Sequence, residues 1–227
     1  MLDMRANLGR VQEAVARACA RAGRSPDDVL LIAVSKTMDV ERVRLAIAAG
    51  VAALGENRVQ EAKEKIEALG RPVPWHLIGS LQTNKARDAA RLFDWIHSVD
   101  RLELAQELSR RAHSVERTLN VLLQVNLGDE PQKGGVAPAE LKRLHEVVAA
   151  LPNLKVRGLM AIPPATLQPE QARPFFRQLR ELRDQLGLEH CSMGMSADFE
   201  VAIEEGATMV RVGTAIFGPR APRGGGE

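Results

Sequence analysis

The amino-acid sequence predicts one α/β domain, a closed parallel (β/α)8 barrel of the TIM type with an extra helix at its N-terminus. Three observations lead to this fold class: short apolar runs alternate with helical patterns, the runs number eight, and no long linker divides them. An open doubly wound sheet would show the same alternation, but its usual G-x-G-x-x-G fingerprint after the first strand is missing. Periodicity does not fix strand order, so the open sheet remains the alternative.

The first predicted element is an amphipathic helix. Leu8, Val11, Val15 and Ala18 recur at steps of three and four residues, the spacing of one helix face. We therefore expect residues 1–23 to form a helix that packs on the barrel.

The strands follow as short, continuous apolar runs, as expected of parallel strands that are covered on both faces. They are predicted at residues 29–35, 51–55, 74–79, 95–99, 120–126, 155–160, 190–193 and 208–212. Asp39 and Asp100 are placed to cap the helices that follow them. Before Gly187 runs an apolar helix stripe formed by Phe175, Leu179, Leu182 and Leu186. We expect one domain over 1–218 and a flexible, Gly-rich tail over 219–227.

Composition excludes several functional classes. Lys and Arg total 31 against 29 Asp and Glu, so the net charge of +2 argues against binding driven by nucleic-acid phosphates. No apolar run reaches the ~18 residues of a membrane span. Cys19 and Cys191 have no metal-ligand spacing, and the N-terminus lacks the apolar core of a secretory signal. A cytoplasmic protein without a metal site is expected. The charged stretches 56–67 and 101–117 are predicted to be solvated helix faces.

The residues that end the strands are polar, and in a parallel barrel these ends meet at one face. Lys36 ends the first strand, and an amine held against an apolar barrel floor has its charged form penalised, which favours Schiff-base chemistry. A lysine at the start of a solvated loop would occupy the same position, and position alone favours that simpler interpretation.

Two segments near the C-terminus have the features of a phosphate site. Ser192-Met-Gly-Met-Ser196 leads into a helical pattern, and Gly213-Thr214 follows the last strand. Each segment alone could be an ordinary turn, but the loops after strands seven and eight of such barrels commonly bind phosphate, so their pairing favours phosphate. An amine opposite a phosphate site suggests pyridoxal 5′-phosphate (PLP) or a sugar phosphate in a Schiff-base aldolase. Arg211 could contact a pyridine nitrogen or form a structural ion pair.

Seven motifs, in order along nearly the whole chain, resemble the pyridoxal phosphate homeostasis protein family, also called the YggS or PROSC family. They are Leu31-Ile-Ala-Val-Ser-Lys-Thr37, Gly55-Glu-Asn-Arg-Val-Gln-Glu61, Trp75-His-Leu-Ile-Gly-Ser-Leu-Gln-Thr-Asn-Lys85, His97-Ser-Val-Asp100, Gly158-Leu-Met160, Ser192-Met-Gly-Met-Ser196 and Ala207-Thr-Met-Val-Arg-Val-Gly213.

The resemblance implies a single barrel similar to the N-terminal domain of alanine racemase, with PLP as a Schiff base on Lys36. It implies that Arg211 contacts the pyridine nitrogen. The residues that it implies for the phosphate are Ser196, Gly213 and Thr214, and those that it implies for the rest of the pocket are Asn57, His76 and Met160. It also suggests a monomer.

Two lysine positions bear on cofactor transfer. Many relatives carry a second lysine two residues after the Schiff-base lysine, where this chain has Met38, which puts a transfer role for that amine in doubt. Lys133, in the loop after the fifth strand, resembles another family lysine with a suspected secondary cofactor contact, although a solvated loop is the stronger interpretation.

The sequence favours a PLP carrier over an enzyme. Racemisation needs an acid–base group on each face of the α-carbon; in alanine racemase the second is a tyrosine from an added domain, and this sequence contains no tyrosine. A cation at the pyridine nitrogen would also weaken carbanion chemistry. We expect a protein without catalytic residues that binds, shields and delivers PLP, with PLP-dependent apo-enzymes as recipients. An amino-acid racemase and a class I aldolase remain the alternatives.

Overall fold

The computed structural model of the chain describes residues 3–128, 130, 134–164 and 168–218. Eight parallel strands form a closed barrel in which each strand pairs with the next and β1 pairs with β8. The predicted fold class is therefore confirmed, and the open sheet is excluded. The strands are β1 (Leu30–Val34), β2 (Ala53–Glu56), β3 (Trp75–Leu77), β4 (Trp95–Val99), β5 (Leu119–Gln124), β6 (Leu154–Met160), β7 (His190–Met195) and β8 (Met209–Val212).

Short 3-10 helices lie at Pro26–Asp28, Thr83–Lys85 and Pro169–Ala172, and the α-helices of the described residues surround this barrel. They are α1 (Met4–Arg21), α2 (Val40–Ala49), α3 (Val59–Leu69), α4 (Ala86–Leu92), α5 (Leu102–Ser114), α6 (Pro138–Ala149), α7 (Arg173–Gln185), α8 (Phe199–Glu204) and α9 (Thr214–Phe217). Asp39 caps α2 by accepting a hydrogen bond from the N–H of Arg42, as its position predicted. Asp100 does not cap α5 in this way, because Arg101 occupies the N-cap position.

The extra helix α1 packs against the last two helices. Its apolar face is buried, and Asn7 Nδ2 donates to the carbonyl of Ile216 in α9 at 2.9 Å. Arg21, at the other end of α1, pairs with Glu200 and Glu204 of α8. The helix therefore braces the part of the barrel that follows β7 and β8.

The core has two layers. The larger layer lies between the strands and the helices, and a smaller cluster fills the barrel interior with Ile32, Ala53, Leu122, Met160 and Met209. In α7 the anchoring aromatic residue is Phe176, which is buried, while Phe175 of the predicted stripe is only partly buried. No helix of the described residues is long and apolar enough to cross a membrane. The predicted tail over 219–227 lies outside the described residues.

Candidate functional site

A cavity of about 310 Å³ opens at the carboxyl ends of the strands. Six of the eight predicted site residues line it: Lys36, Asn57, Ser196, Arg211, Gly213 and Thr214. They come from the ends of β1, β2, β7 and β8, which are distant in sequence and adjacent around the barrel. Closure of the barrel thus brings the amine, the buried cation and both predicted phosphate loops to one place.

The amine lies on the first turn after β1. Lys36 is half-buried, and it is followed by Thr37, whose φ of 65° is in the left-handed region, and by the buried Met38. Met38 also lines the cavity. Met38 is therefore part of the apolar wall of the cavity.

The two predicted phosphate loops are in direct contact. The backbone N–H of Gly213 donates to Ser196 Oγ at 3.2 Å, which joins the loop after β7 to the loop after β8. Ser196 and Thr214 are exposed at the mouth of the cavity, and the first turn of α9 starts there. Hydroxyl and backbone N–H donors therefore lie together at one rim.

A tight turn presents the first of these loops. Gly194 has a φ of +88°, and a Cβ at this position would lie 2.6 Å from the Cβ of Ala202. Asp198 accepts a hydrogen bond from the N–H of Met195 at 2.7 Å. Glycine is needed here both for its conformation and for its lack of a side chain.

Arg211 is buried and has neutral hydrogen-bond partners. Its Nη1 donates to Ser192 Oγ at 2.6 Å and its Nη2 donates to the carbonyl of Ala161 at 3.0 Å. Burial lowers the pKa of the Arg211 guanidinium to about 10, and the charge of Asp198 acts in the opposite direction. The guanidinium is thus a fixed, desolvated donor at the inner wall of the cavity.

The other two predicted residues lie inside the barrel and are not among the described residues that line the cavity. Met160 belongs to the apolar cluster of the barrel interior. The Nδ1 of His76 lies 2.9 Å from His97 Nε2, and His97 Nδ1 lies 2.9 Å from Ser192 Oγ. His76 therefore reaches Arg211 through two other side chains. A direct contact of His76 or Met160 with a ligand stays a prediction.

Both histidines of this chain of hydrogen bonds are held neutral. Burial lowers the pKa of His76 to about 3, and burial also lowers the pKa of His97 far below its ordinary value. Because Arg211 can only donate, the hydroxyl of Ser192 is available to donate to His97.

Sequence reasoning missed two groups of residues. The first is the apolar wall of the cavity, formed by Val34, Met38, Ile78, Ile162 and Met195. The second is a buried ion pair between Lys65 and Glu56, at 2.6 Å, which contacts Ser35, the residue before Lys36. The prediction that the charged residues of 56–67 form a solvated helix face is therefore wrong for Glu56 and Lys65. Lys65 follows Val59 and Ala62 at helical spacing, on the buried face of α3, and this spacing was the available signal. Lys133 lies outside the described residues.

A closed parallel barrel with this cavity places the chain in the class of the alanine racemase N-terminal domain, whose family model matches residues 6–221. The likeness of fold extends to alanine racemase from Clostridium difficile, with a TM-score of 0.73 at 16% identity over 97% of this chain and 58% of that chain.

Within this class, the chain belongs to the pyridoxal phosphate homeostasis protein family. It is 50% identical over 220 residues to the pyridoxal phosphate homeostasis protein of Aquifex aeolicus, covering 94% of this chain and 96% of that protein. It is also similar to PipY of Synechococcus elongatus PCC7942 in the structure with PLP bound. That likeness has a TM-score of 0.81 and 41% identity, over 90% of this chain and 100% of that chain.

Proposed function

We propose that this chain binds PLP in the cavity at the carboxyl ends of its strands and serves PLP homeostasis as a carrier. One observation carries the proposal: the half-buried amine of Lys36, the buried guanidinium of Arg211 and the joined loops at Ser196 and Gly213 all line one cavity. The amine is a nucleophile for an aldehyde. The guanidinium can donate a hydrogen bond to a pyridine nitrogen, and the hydroxyl and N–H groups of the loops can donate to a phosphate. Relatives named for PLP homeostasis and the PLP-bound PipY structure support the same ligand.

The cavity fits PLP in size and chemistry. Its volume of about 310 Å³ is within the range of small-molecule sites. The apolar wall suits the flat ring, while Ser196, Thr214 and the N–H groups beside them suit the phosphate. When bound, PLP supplies an aldehyde that condenses reversibly with an amine. Lys36 is the amine on this wall, so it would hold the ligand covalently and still exchange it for an incoming amine.

The lining favours a carrier over a catalyst. Among the described residues that line the cavity, only Lys36 and Arg211 carry titratable side chains. A two-base racemisation needs a second acid–base group opposite the lysine, and the sequence contains no tyrosine to supply one. Arg211 is a cation in this environment, which disfavours protonation of the pyridine nitrogen beside it. We therefore propose that the chain acts without catalytic residues.

The proposal also covers the location of the protein, its oligomeric state and the recipients of PLP. We propose a cytoplasmic monomer of one domain over residues 1–218 that passes PLP to PLP-dependent apo-enzymes. Light scattering of the purified chain tests the monomer. Incubation of the loaded chain with an apo-enzyme, followed by the appearance of that enzyme's activity, tests delivery.

An absorption spectrum tests the binding site. The chain incubated with PLP and freed of excess ligand is expected to show a visible band, and borohydride reduction followed by peptide mass analysis should place the vitamer on Lys36. Lys36→Ala should lack the band. Lys63→Ala is the matched control because Lys63 is exposed on α3. A band of full strength in Lys36→Ala, or a reduced adduct on another residue, would overturn the proposal.

Turnover tests the absence of catalysis. The loaded chain is incubated with each standard amino acid, and the enantiomers and keto acids are separated by chiral chromatography. We expect no conversion above that of free PLP. Conversion that is faster than free PLP and is lost in Lys36→Ala would show an enzyme instead.

A further inference from the structure

The turn that carries Lys36 is anchored on both sides by one buried ionic cluster. This cluster, called here the Lys65 cluster, consists of Glu56 at the end of β2 and of Glu61 and Lys65 on α3. Before Lys36, Ser35 Oγ donates to Glu56 Oε1 at 2.6 Å, and the carbonyl of Ser35 accepts from Lys65 Nζ at 2.6 Å. After Lys36, the backbone N–H of Thr37 donates to Glu61 Oε1.

Lys65 holds the cluster together. Its ammonium group donates to Glu56 Oε1 at 2.6 Å, to Glu61 Oε1 at 2.9 Å and to the carbonyl of Ser35. These three contacts match the three protons of an ammonium group. The two carboxylates are thereby fixed relative to the backbone of the turn.

Stability does not explain this arrangement. Lys65 is 3% exposed and Glu56 is fully buried, and a buried ion pair is often no more stabilising than apolar residues of the same size. Burial raises the pKa of Glu56, and the charge of Lys65 lowers it. Glu56 Oε2 is also buried without a hydrogen-bond partner among the described residues. Because burying the charges of Lys65 and Glu56 removes both from water at a large cost in free energy, we infer that this ion pair has a role other than packing.

The backbone beside Lys36 is strained. Thr37 has a φ of 65°, and a β-branched residue seldom adopts this left-handed conformation. Such conformations persist where surrounding contacts fix them, and they gather at functional sites. Glu61 supplies the contact at this residue.

We propose that Lys65, with Glu56 and Glu61, acts as a set of positioning residues that fix the turn so that the amine of Lys36 faces the aldehyde of the bound ligand. The inference rests on the proposed function. In the step concerned, the unprotonated amine attacks the aldehyde carbon and a C=N bond forms. The two hydrogens of the amine go to the carbonyl oxygen, which leaves as water. Fixed geometry accelerates such a step because less orientational freedom is lost on reaction.

The test separates formation of the covalent bond from binding. Growth of the visible band after mixing with PLP reports the bond, and the affinity for pyridoxine 5′-phosphate, which has the ring and phosphate but no aldehyde, reports binding alone. In Lys65→Met we expect the band to form at least about tenfold more slowly, the effect of a misplaced reacting group. The affinity for pyridoxine 5′-phosphate should stay within about twofold of the wild type, because Lys65 lies outside the cavity lining.

A second variant covers the case in which Lys65→Met does not fold. The side chain of Glu61 is 24% exposed, so Glu61→Ala frees the N–H of Thr37 while the buried pair stays intact. We expect the band to form several-fold more slowly in this variant. Glu67→Ala is the matched control, because Glu67 is an exposed carboxylate on the same helix, paired with Lys63; it should react like the wild type.

The outcomes are distinguishable. A wild-type chain that binds PLP without a band overturns the proposed covalent site and this inference with it. A wild-type band together with unchanged rates in both Lys65→Met and Glu61→Ala overturns the inference alone. Equal losses of band formation and of pyridoxine 5′-phosphate affinity would show general damage to the fold and would also overturn the positioning role.

Discussion

The side chain of Arg211 is held in place by hydrogen bonds to residues inside the barrel. Its guanidinium donates to the hydroxyl of Ser192, which lies within hydrogen-bond distance of His97, which in turn contacts His76. Burial holds both imidazoles neutral, and a charged His97 would in addition face the guanidinium across one hydroxyl group. The orientation of Arg211 is thus coupled to the protonation of residues outside the cavity wall.

The burial of His76 predicts a pH dependence of stability. The pKa of His76 is lowered by burial from 6.5 to about 3, so the unfolded chain binds more protons than the folded chain between these values. Above pH 6.5 His76 is neutral in both states and does not lower the free energy of unfolding. As the pH falls from 6.5 toward 3, protonation of His76 in the unfolded chain lowers this free energy progressively. Within this window, the free energy of unfolding of His76→Asn should depend less steeply on pH than that of the wild type, by about 1.4 kcal/mol per pH unit.

Urea unfolding across the window measures this difference. Asn keeps a polar group for His97 Nε2 and removes the titrating ring. His113→Asn is the control, since His113 is exposed on α5 and is solvated in both states. Parallel curves for His76→Asn and the wild type would show that His76 is not held neutral by the fold.

The hydroxyl of Ser196 gives a second prediction at the residue scale. It accepts from the N–H of Gly213 and lies at the rim where we place the phosphate. Ser196→Ala should weaken retention of PLP by about tenfold, the value of one charge-assisted hydrogen bond. Pyridoxal, which lacks the phosphate, should bind equally to the variant and the wild type. Equilibrium dialysis of both vitamers provides the measurement, and equal losses for both would place the phosphate elsewhere.

At the scale of elements, close contact between strands limits which residues the barrel accepts. Gly158 lies on β6, and a Cβ there would be 2.1 Å from the carbonyl oxygen of His190 on β7. Gly158→Ala should separate these strands and destabilise the fold by about 3 kcal/mol, at the upper end of overpacking. Gly9 on α1 has nothing within 4 Å of the same added atom, so Gly9→Ala should stabilise the fold by about 1 kcal/mol through helix propensity. Urea unfolding should show a lower free energy of unfolding for Gly158→Ala and a higher one for Gly9→Ala than for the wild type. Changes in the same direction would contradict the close strand contact at Gly158.

The elements were largely predictable from local pattern. Each of the eight apolar runs is a strand, because burial on both faces leaves a continuous signal. Strand ends were less accurate: β3 stops at Leu77, two residues before the predicted end, and β7 runs on to Met195. The spacing of Lys65 places it on the buried face of α3, but its burial was not predicted, because the carboxylate that offsets the cost of burying its charge lies on another element.

At the scale of the whole molecule, the sequence pattern left one question open, which is whether the sheet closes. Alternation of strands and helices is the same in an open doubly wound sheet, and the two folds differ in strand order and in closure. Here each strand pairs with the next in sequence, and the pairing of β1 with β8 closes the barrel. That pairing unites the first and last strands of the chain, and the candidate site lies across it. Lys36 follows β1, whereas Arg211, Gly213 and Thr214 lie on or directly after β8.

A ligand at this seam should therefore stabilise the entire barrel. At a PLP concentration one hundred times the dissociation constant, linkage gives about 2.7 kcal/mol. For a chain of this size this corresponds to a rise in Tm of about 5 to 10 °C. Calorimetry should show a single transition that moves upward with PLP, and hydrogen exchange should show added protection in β1 and β8. In Lys36→Ala the rise should be smaller, because the proposed covalent anchor is lost while the loops proposed to hold the phosphate remain. Added protection confined to the loops after β7 and β8, with β1 unchanged, would mean that the ligand does not bridge the seam where the barrel closes.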